Sequence, residues 1–229
     1  MKSSFAIILS LALFALCAQA QRGQVPTVTS IDCAPPTPVL PAQYTVGFSE
    51  YITAGILSTG PDPYYADGYI YVDFDAKMTR ADAAFPGGMT STVFDYNTHT
   101  ATVSSLSDGE FGCHTTAWPI PMPSQDMMEK FDFIGVAMVP GYGICNVWEG
   151  SVGSFAIQLF FDQEGVPVLE VTDSVVMYFF GLTDVVDENV FNVPSQCASE
   201  SARSTTTTMS KALNSLKLGA SPSFTGFSH

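Results

Sequence analysis

Basic side chains and histidines are scarce in this sequence. Of 229 residues, 8 are lysine or arginine and 3 are histidine, against 22 aspartates and glutamates. Between residues 23 and 197 the basic residues are Lys77, Arg80 and Lys130 alone. An acidic surface of this kind repels phosphate backbones, so we expect no nucleic-acid partner. In our interpretation the acidic side chains keep an otherwise apolar domain solvated.

The sequence also lacks the common catalytic motifs. It has no Gly-x-Ser-x-Gly nucleophile turn, no His-Glu-x-x-His pair and no Gly-Lys-Ser/Thr phosphate loop. Cys113 and His114 are neighbours on a predicted strand, where adjacent side chains point to opposite faces and do not form a nucleophile–base pair. We therefore predict no enzymatic activity, no cofactor and no metal. A hydrolase stays open as a remote alternative, because Asp73 and Asp75 would share a strand face about 7 Å apart.

Long apolar runs are absent after the N-terminus. Residues 1–20 have a basic start at Lys2, an apolar stretch and a closing Ala-Gln-Ala, which together predict a cleaved signal peptide. No later run of about twenty apolar residues exists, so we predict no transmembrane segment. The protein is therefore expected to be secreted and extracellular.

Cysteines are few and far apart. Removal of the signal peptide takes Cys17 and leaves Cys33, Cys113, Cys145 and Cys197. An even number of cysteines in an exported chain predicts two disulfides, and spacing does not choose among the three pairings. The wide spacing also argues against a structural zinc site, which uses closely paired ligands.

What the sequence does contain is alternating apolar residues typical of β-strands. Segments around residues 69–74, 155–161 and 175–180 alternate at period two, and the last two are apolar on nearly both faces. Residues 95–99 predict a turn between strands at 90–96 and 100–105. Residues 124–137 could hold a short helix with Ser124 as its N-cap. We divide the chain into a signal peptide (1–20), a Pro-rich entry arm (21–43) that Cys33 pins to the body, a β domain (44–197) and a disordered Ser/Thr-rich tail (198–229).

An ordered set of short motifs resembles the secreted ependymin-related and LolA-like proteins. The closest local match is Cys145-Asn146-Val147-Trp148-Glu149. Before and after it, in the family's order, come Tyr69, Tyr71, Asp73, Arg80, Cys113, Pro119, Pro121, Phe160-Phe161, Val166-Pro167-Val168, Phe191, Pro194 and Cys197. The resemblance covers residues 44–197. Vertebrate ependymins are glycoproteins, whereas this sequence has no Asn-x-Ser/Thr site.

The resemblance implies a mainly β fold: a strongly curved antiparallel sheet, an open LolA-like half-barrel, with one or two short helices covering an apolar cavity. It implies a hydrophobic small molecule or lipid, such as a fatty acid, as the ligand. We expect the ligand-contacting residues to come from the doubly apolar strands, from Trp148 and from the cover: Phe155, Ile157, Leu159, Val176, Tyr178, Phe180, Trp148, Met127, Met128 and Phe131.

Our leading hypothesis is therefore a secreted, non-enzymatic binding protein for a hydrophobic ligand. The alternative is an extracellular structural or adhesion protein without a bound ligand. On either hypothesis the protein could be a homodimer or a monomer.

Overall fold

The structure is a computed structural model that describes residues 25–31, 33–52, 65–152 and 155–200. For residues 65, 152, 155 and 198–200 it describes the backbone only. The expected signal peptide and most of the expected tail lie outside the described residues. In the described part no helix is long and apolar enough to cross a membrane.

Twelve β-strands make up almost all of the described chain. Their bounds are β1 Val28–Thr29, β2 Gln43–Ile52, β3 Tyr65–Asp73, β4 Met78–Phe85, β5 Gly88–Asp95, β6 Thr100–Ser107, β7 Glu110–Ala117, β8 Asp132–Val139, β9 Gly143–Val152, β10 Phe155–Phe161, β11 Pro167–Thr172 and β12 Val175–Thr183. The predicted hairpin around residues 95–99 is confirmed as the connection between β5 and β6.

All strand pairs are antiparallel and form one sheet in the order β1-β8-β9-β10-β11-β12-β2-β3-β4-β5-β6-β7. Within the described residues β1 and β7 are its two edges, so the sheet does not close into a barrel. The prediction of a mainly β, antiparallel and open sheet is confirmed. Adjacent strands follow each other along the chain almost everywhere, and the entry arm and the β7–β8 connection supply the two long crossings.

Both faces of the sheet are buried around β9–β12, because the strands there are apolar on both sides. One face, which we call the inner face, carries a cluster that includes Phe48, Trp148, Leu159 and Met177. The opposite face carries a second cluster that includes Val147, Phe160 and Leu169. The alternation of strand side chains sends neighbours in sequence to opposite clusters.

The β7–β8 connection leads from one edge of the sheet towards the other and covers the inner face. It contains a 3-10 helix, Met127–Lys130, which we call the cover helix. Met127, Met128 and Phe131 are buried in the inner-face cluster. The predicted helix over residues 124–137 is wrong in extent: Asp126, not Ser124, precedes the helix, and Asp132–Val139 pairs as β8 because its β-branched residues suit a strand.

The chain beyond β12 is tied back onto the β3–β7 part of the sheet. A second 3-10 helix, Glu188–Phe191, lies against β4, where the Arg80 Nη1 donates to the Val190 carbonyl at 2.5 Å. Helix α1, Ser195–Glu200, packs on β7, and a disulfide joins Cys197 to Cys113 across 84 residues of sequence. This is one of the pairings that the sequence allowed.

The second expected disulfide does not form. Cys145 is free and fully buried on β9, in the cluster opposite the inner face, and Cys33 is free and exposed on the entry arm. The entry arm is therefore not pinned by Cys33. It is held instead by β1 pairing with β8 and by Leu40, which packs into the inner-face cluster.

Candidate functional site

A small apolar cavity lies between the inner face of the sheet and the cover helix. Its volume is about 50 Å³. Strands β2, β3, β10 and β12 supply most of the wall, the entry arm and the cover helix close it, and β11 contributes Pro167 and Glu170. The lining residues are Leu40, Tyr44, Val46, Ile70, Met127, Met128, Phe131, Ile157, Leu159, Phe161, Pro167, Glu170 and Phe179.

The one charged residue among these lining residues is Glu170, and a second buried glutamate lies near it. Met177 on β12 pairs with Glu170 on β11 and with Glu50 on β2. Laterally paired residues of adjacent strands point to the same face, so both carboxyl groups flank Met177 on the inner face. Their Cα atoms are two strand spacings apart, about 10 Å. Each glutamate is only 2% exposed.

Glu50 lies in a poor environment for a charge. Its Oε1 atom is buried without a hydrogen-bond partner. Burial, and secondly the negative charge of Glu170, raise the pKa of Glu50 from 4.5 to about 8. At neutral pH this carboxyl group is therefore largely protonated, and it can donate a hydrogen bond as well as accept one.

The phenol of Tyr44 also interacts electrostatically with Glu170. Tyr44 lines the cavity and is 3% exposed. Burial, then Glu170 and Tyr96, raise the pKa of Tyr44 above its ordinary value, so it stays neutral. The cavity thus combines an apolar wall with two polar side chains, those of Tyr44 and Glu170, and an apolar lining with a few polar groups is the usual composition of a small-molecule site.

A second, larger hollow lies on the outer side of the cover. This groove has a volume of about 460 Å³ and runs between the entry arm and the segment before the cover helix. It is lined by Thr37, Pro38, Val39, Ser124, Gln125, Asp126, Met128 and Glu129. Met128 lines both the groove and the cavity, so its side chain lies between them.

One side-chain hydrogen bond joins the two walls of the groove. The Gln125 Nε2 donates to the Leu40 carbonyl at 2.7 Å and so links the cover to the entry arm. On the cavity side, Gly150 leaves room for the cover, because a Cβ there would lie 2.7 Å from the ring of Phe131. The cover is thus held by a side-chain contact on one side and by close packing on the other.

The predicted ligand-contacting residues divide into two groups. The structure brings together Ile157, Leu159, Met127, Met128 and Phe131, all of which line the cavity. Trp148 lies beside them in the inner-face cluster, with its ring 5.5 Å from that of Phe133, but it is not among the lining residues.

Strand β12 presents the opposite face from the one we predicted. Val176 and Tyr178 belong to the second cluster, and Phe180 is 42% exposed beside Tyr69. Phe179 lines the cavity in their place. Both faces of β12 are apolar, so alternation could not tell which one points inward. Phe155 pairs with Val152, and its side chain lies outside the described residues.

The remote acid pair Asp73 and Asp75 is part of a turn. The Asp73 carboxylate accepts a hydrogen bond from the Ala76 amide at 2.8 Å, and Asp75 is exposed. This is the usual role of aspartate in a tight turn, and it does not place the two carboxylates around a substrate cleft. In the described part of the chain, no group of three or more His, Cys, Asp and Glu side chains could hold a metal ion.

Sequence reasoning missed the two buried glutamates. A signal for each was present: Glu50 follows Tyr44, Val46 and Phe48 at alternate positions of one strand, and Glu170 interrupts the apolar run Val168–Val171. A carboxylate in phase with the apolar face of a strand is expected to be buried.

Comparison with known proteins identifies no family. No protein-family model and no curated protein matches the sequence. Among solved structures, an uncharacterized conserved protein from Thermus thermophilus aligns over 68% of this chain and 88% of its own, with 12% identity and a TM-score of 0.43. PNGF-II, in two crystal forms, aligns over 66% of this chain and 30% and 29% of its own, with 10% identity and TM-scores of 0.32 and 0.30. Likenesses this distant carry no argument, and the ependymin-related and LolA-like resemblance stays a prediction.

Proposed function

We propose that this protein is a secreted, non-enzymatic binding protein that takes up a hydrophobic ligand between the inner face of its sheet and the cover helix. The observation that carries the proposal is the position of Met128. This side chain lines both an apolar interior cavity and an open groove. In this proposal the inner face curves around the ligand, as in the LolA-like half-barrel, and the disulfide suits an extracellular location.

The closed cavity is too small for the ligand, so the cover must move. A volume of about 50 Å³ holds one or two water molecules. Ligand pockets commonly measure about 300–1,000 Å³. The groove, at about 460 Å³, falls in that range. In this proposal Met128 moves aside and the groove becomes continuous with the cavity. Methionine suits this role because its unbranched side chain repacks easily.

The energetics of opening favour an apolar occupant. Exposing Met127, Met128 and Phe131 to water would cost about 1.5–3 kcal/mol for each side chain. A ligand that takes their place against Ile157 and Leu159 restores this burial and gains about 0.8 kcal/mol for each methylene group removed from water, before ordering costs. A polar ligand would neither restore the burial of these side chains nor gain free energy from burying methylene groups.

The test compares probe binding by the mature wild-type protein and three variants. Met128→Ala removes the separating side chain and is expected to bind an apolar fluorescent probe more tightly and more quickly than the wild type. Leu159→Trp fills the cavity and is expected to weaken binding at least tenfold. Met138→Ala is the matched control, since Met138 is 63% exposed on β8.

Native mass spectrometry of protein purified from its own medium complements this measurement, with a co-purified apolar molecule as the expected result. The proposal is wrong if the wild type carries no such molecule and no probe responds to Met128→Ala or Leu159→Trp. That outcome would favour the structural or adhesion alternative, in which the cavity is packed core.

A further inference from the structure

The wall of the cavity contains an acidic residue and, among the described residues, no basic one. Glu170 lines the cavity, and Glu50 flanks Met177 from the other side. Of the lysines and arginines in the described part of the chain, none lines the cavity: Lys77 and Lys130 are exposed, and Arg80 binds Asp82 at 2.7 Å on the β4 side of the sheet.

Stability alone does not account for Glu50. Its side chain is 2% exposed, and its Oε1 has no hydrogen-bond partner. An unsatisfied buried carboxyl group destabilises the fold, and a leucine or methionine of similar size at this position would not. Titratable groups kept in such surroundings are commonly functional. An oxygen of this carboxyl group accepts hydrogen bonds in either protonation state, so a group that donates hydrogen bonds would satisfy it.

The groove that leads to the cavity carries the same sign of charge. Asp126 and Glu129 lie on its wall, on either side of Met127 and Met128. Acidic residues along the path raise the local concentration of a cation and lower that of an anion. The groove and the cavity therefore both favour a cationic ligand.

We propose that Glu50 and Glu170 recognise the protonated amine of an amphiphilic ligand whose apolar tail occupies the cavity and groove. This inference rests on the proposed function and replaces the fatty acid of the family resemblance by a long-chain amine. An ammonium group offers three donors, enough to serve both carboxyl groups at once, and it neutralises the buried charge. A fatty-acid anion would instead place a further negative charge beside two buried acidic residues, with no basic residue among the cavity-lining residues to compensate it.

The experiment uses three ligands that share one tail and differ in the head: dodecylamine, dodecanol and dodecanoate. Displacement of an apolar fluorescent probe from the mature protein is measured at pH 7.5, below the micelle-forming concentration of each ligand. We expect dodecylamine to bind at least tenfold more tightly than dodecanol, and dodecanoate to bind more weakly than dodecanol.

The double variant Glu50→Gln/Glu170→Gln is expected to lose the preference for the amine while keeping its affinity for dodecanol. Glu50→Gln alone, which replaces one carboxyl group, is expected to lose part of the preference and provides the same test if the double variant fails to fold. Glu110→Gln is the matched control, because Glu110 is exposed at the β6–β7 turn.

The outcomes separate this inference from the proposed function. Equal binding of the three heads, tighter binding of dodecanoate, or a preference that survives both glutamine variants overturns the amine inference and leaves apolar binding intact. If none of the three ligands displaces the probe, or no probe binds, the proposed function fails as well.

Discussion

The buried carboxyl group of Glu50 makes a definite prediction about the pH dependence of stability. In the folded protein the pKa of Glu50 is raised to about 8, first by burial and then by Glu170, from an ordinary value of 4.5. A raised folded-state pKa means that the folded protein holds this proton more tightly than the unfolded chain does. The stability that the proton supplies is fully present below pH 4.5 and is lost as the pH rises towards 8.

The size of the effect follows from the two pKa values. Each unit of pH between them costs about 1.4 kcal/mol, so the full interval from 4.5 to about 8 corresponds to about 5 kcal/mol. Glutamine has nearly the same shape and no proton to lose. We therefore expect Glu50→Gln to be close to the wild type in stability at pH 4.5 and more stable by several kcal/mol at pH 8.

The assay is urea unfolding of wild type and Glu50→Gln at half-unit steps from pH 4.5 to pH 8.5, monitored by tryptophan fluorescence. The informative quantity is the difference between the two free energies of unfolding, because titrating groups that do not interact with Glu50 cancel in it. Glu110→Gln, at an exposed position, is the matched control. Parallel curves for wild type and Glu50→Gln would refute the reasoning, since they would show that Glu50 is solvated or paired in the folded state.

The remaining predictions concern the cysteines. Replacing Cys113 and Cys197 by serine should lower the free energy of unfolding by about 4–5 kcal/mol, because the disulfide closes a loop of 84 residues. Cys33→Ser should leave stability within about 0.5 kcal/mol, since Cys33 is free and exposed; a loss as large as that of the disulfide variant would show that Cys33 is paired. A maleimide reagent at pH 7 should modify Cys33 at once and Cys145 only after unfolding, because Cys145 is buried and burial raises its pKa to about 11. Mass spectrometry counts the labels, and the absence of labelling on both thiols of the unfolded, unreduced protein would contradict the single disulfide.

The class of the fold and about half of its strands follow from the sequence alone. Alternating side chains and turn residues were sufficient to predict the β5–β6 hairpin and the strand that carries Ile157 and Leu159, because period-two alternation and turn geometry are local properties. The apolar residues Met127, Met128 and Phe131 also lie over the inner face as predicted, although as a short 3-10 helix and the residue after it.

Which face points inward and which groups meet depend on the tertiary structure. On β12 both faces are apolar, so the choice of Phe179 over Tyr178 depends on how the strand pairs with its neighbours. Cys113 pairs with Cys197 because α1 packs on β7, a contact that cysteine spacing does not encode. Glu50 and Glu170 are 120 positions apart in the sequence and flank Met177 only because β2, β12 and β11 lie side by side. The cause is the same in each case: lateral pairing between distant strands sets these contacts, and periodicity within one strand carries no information about its partners.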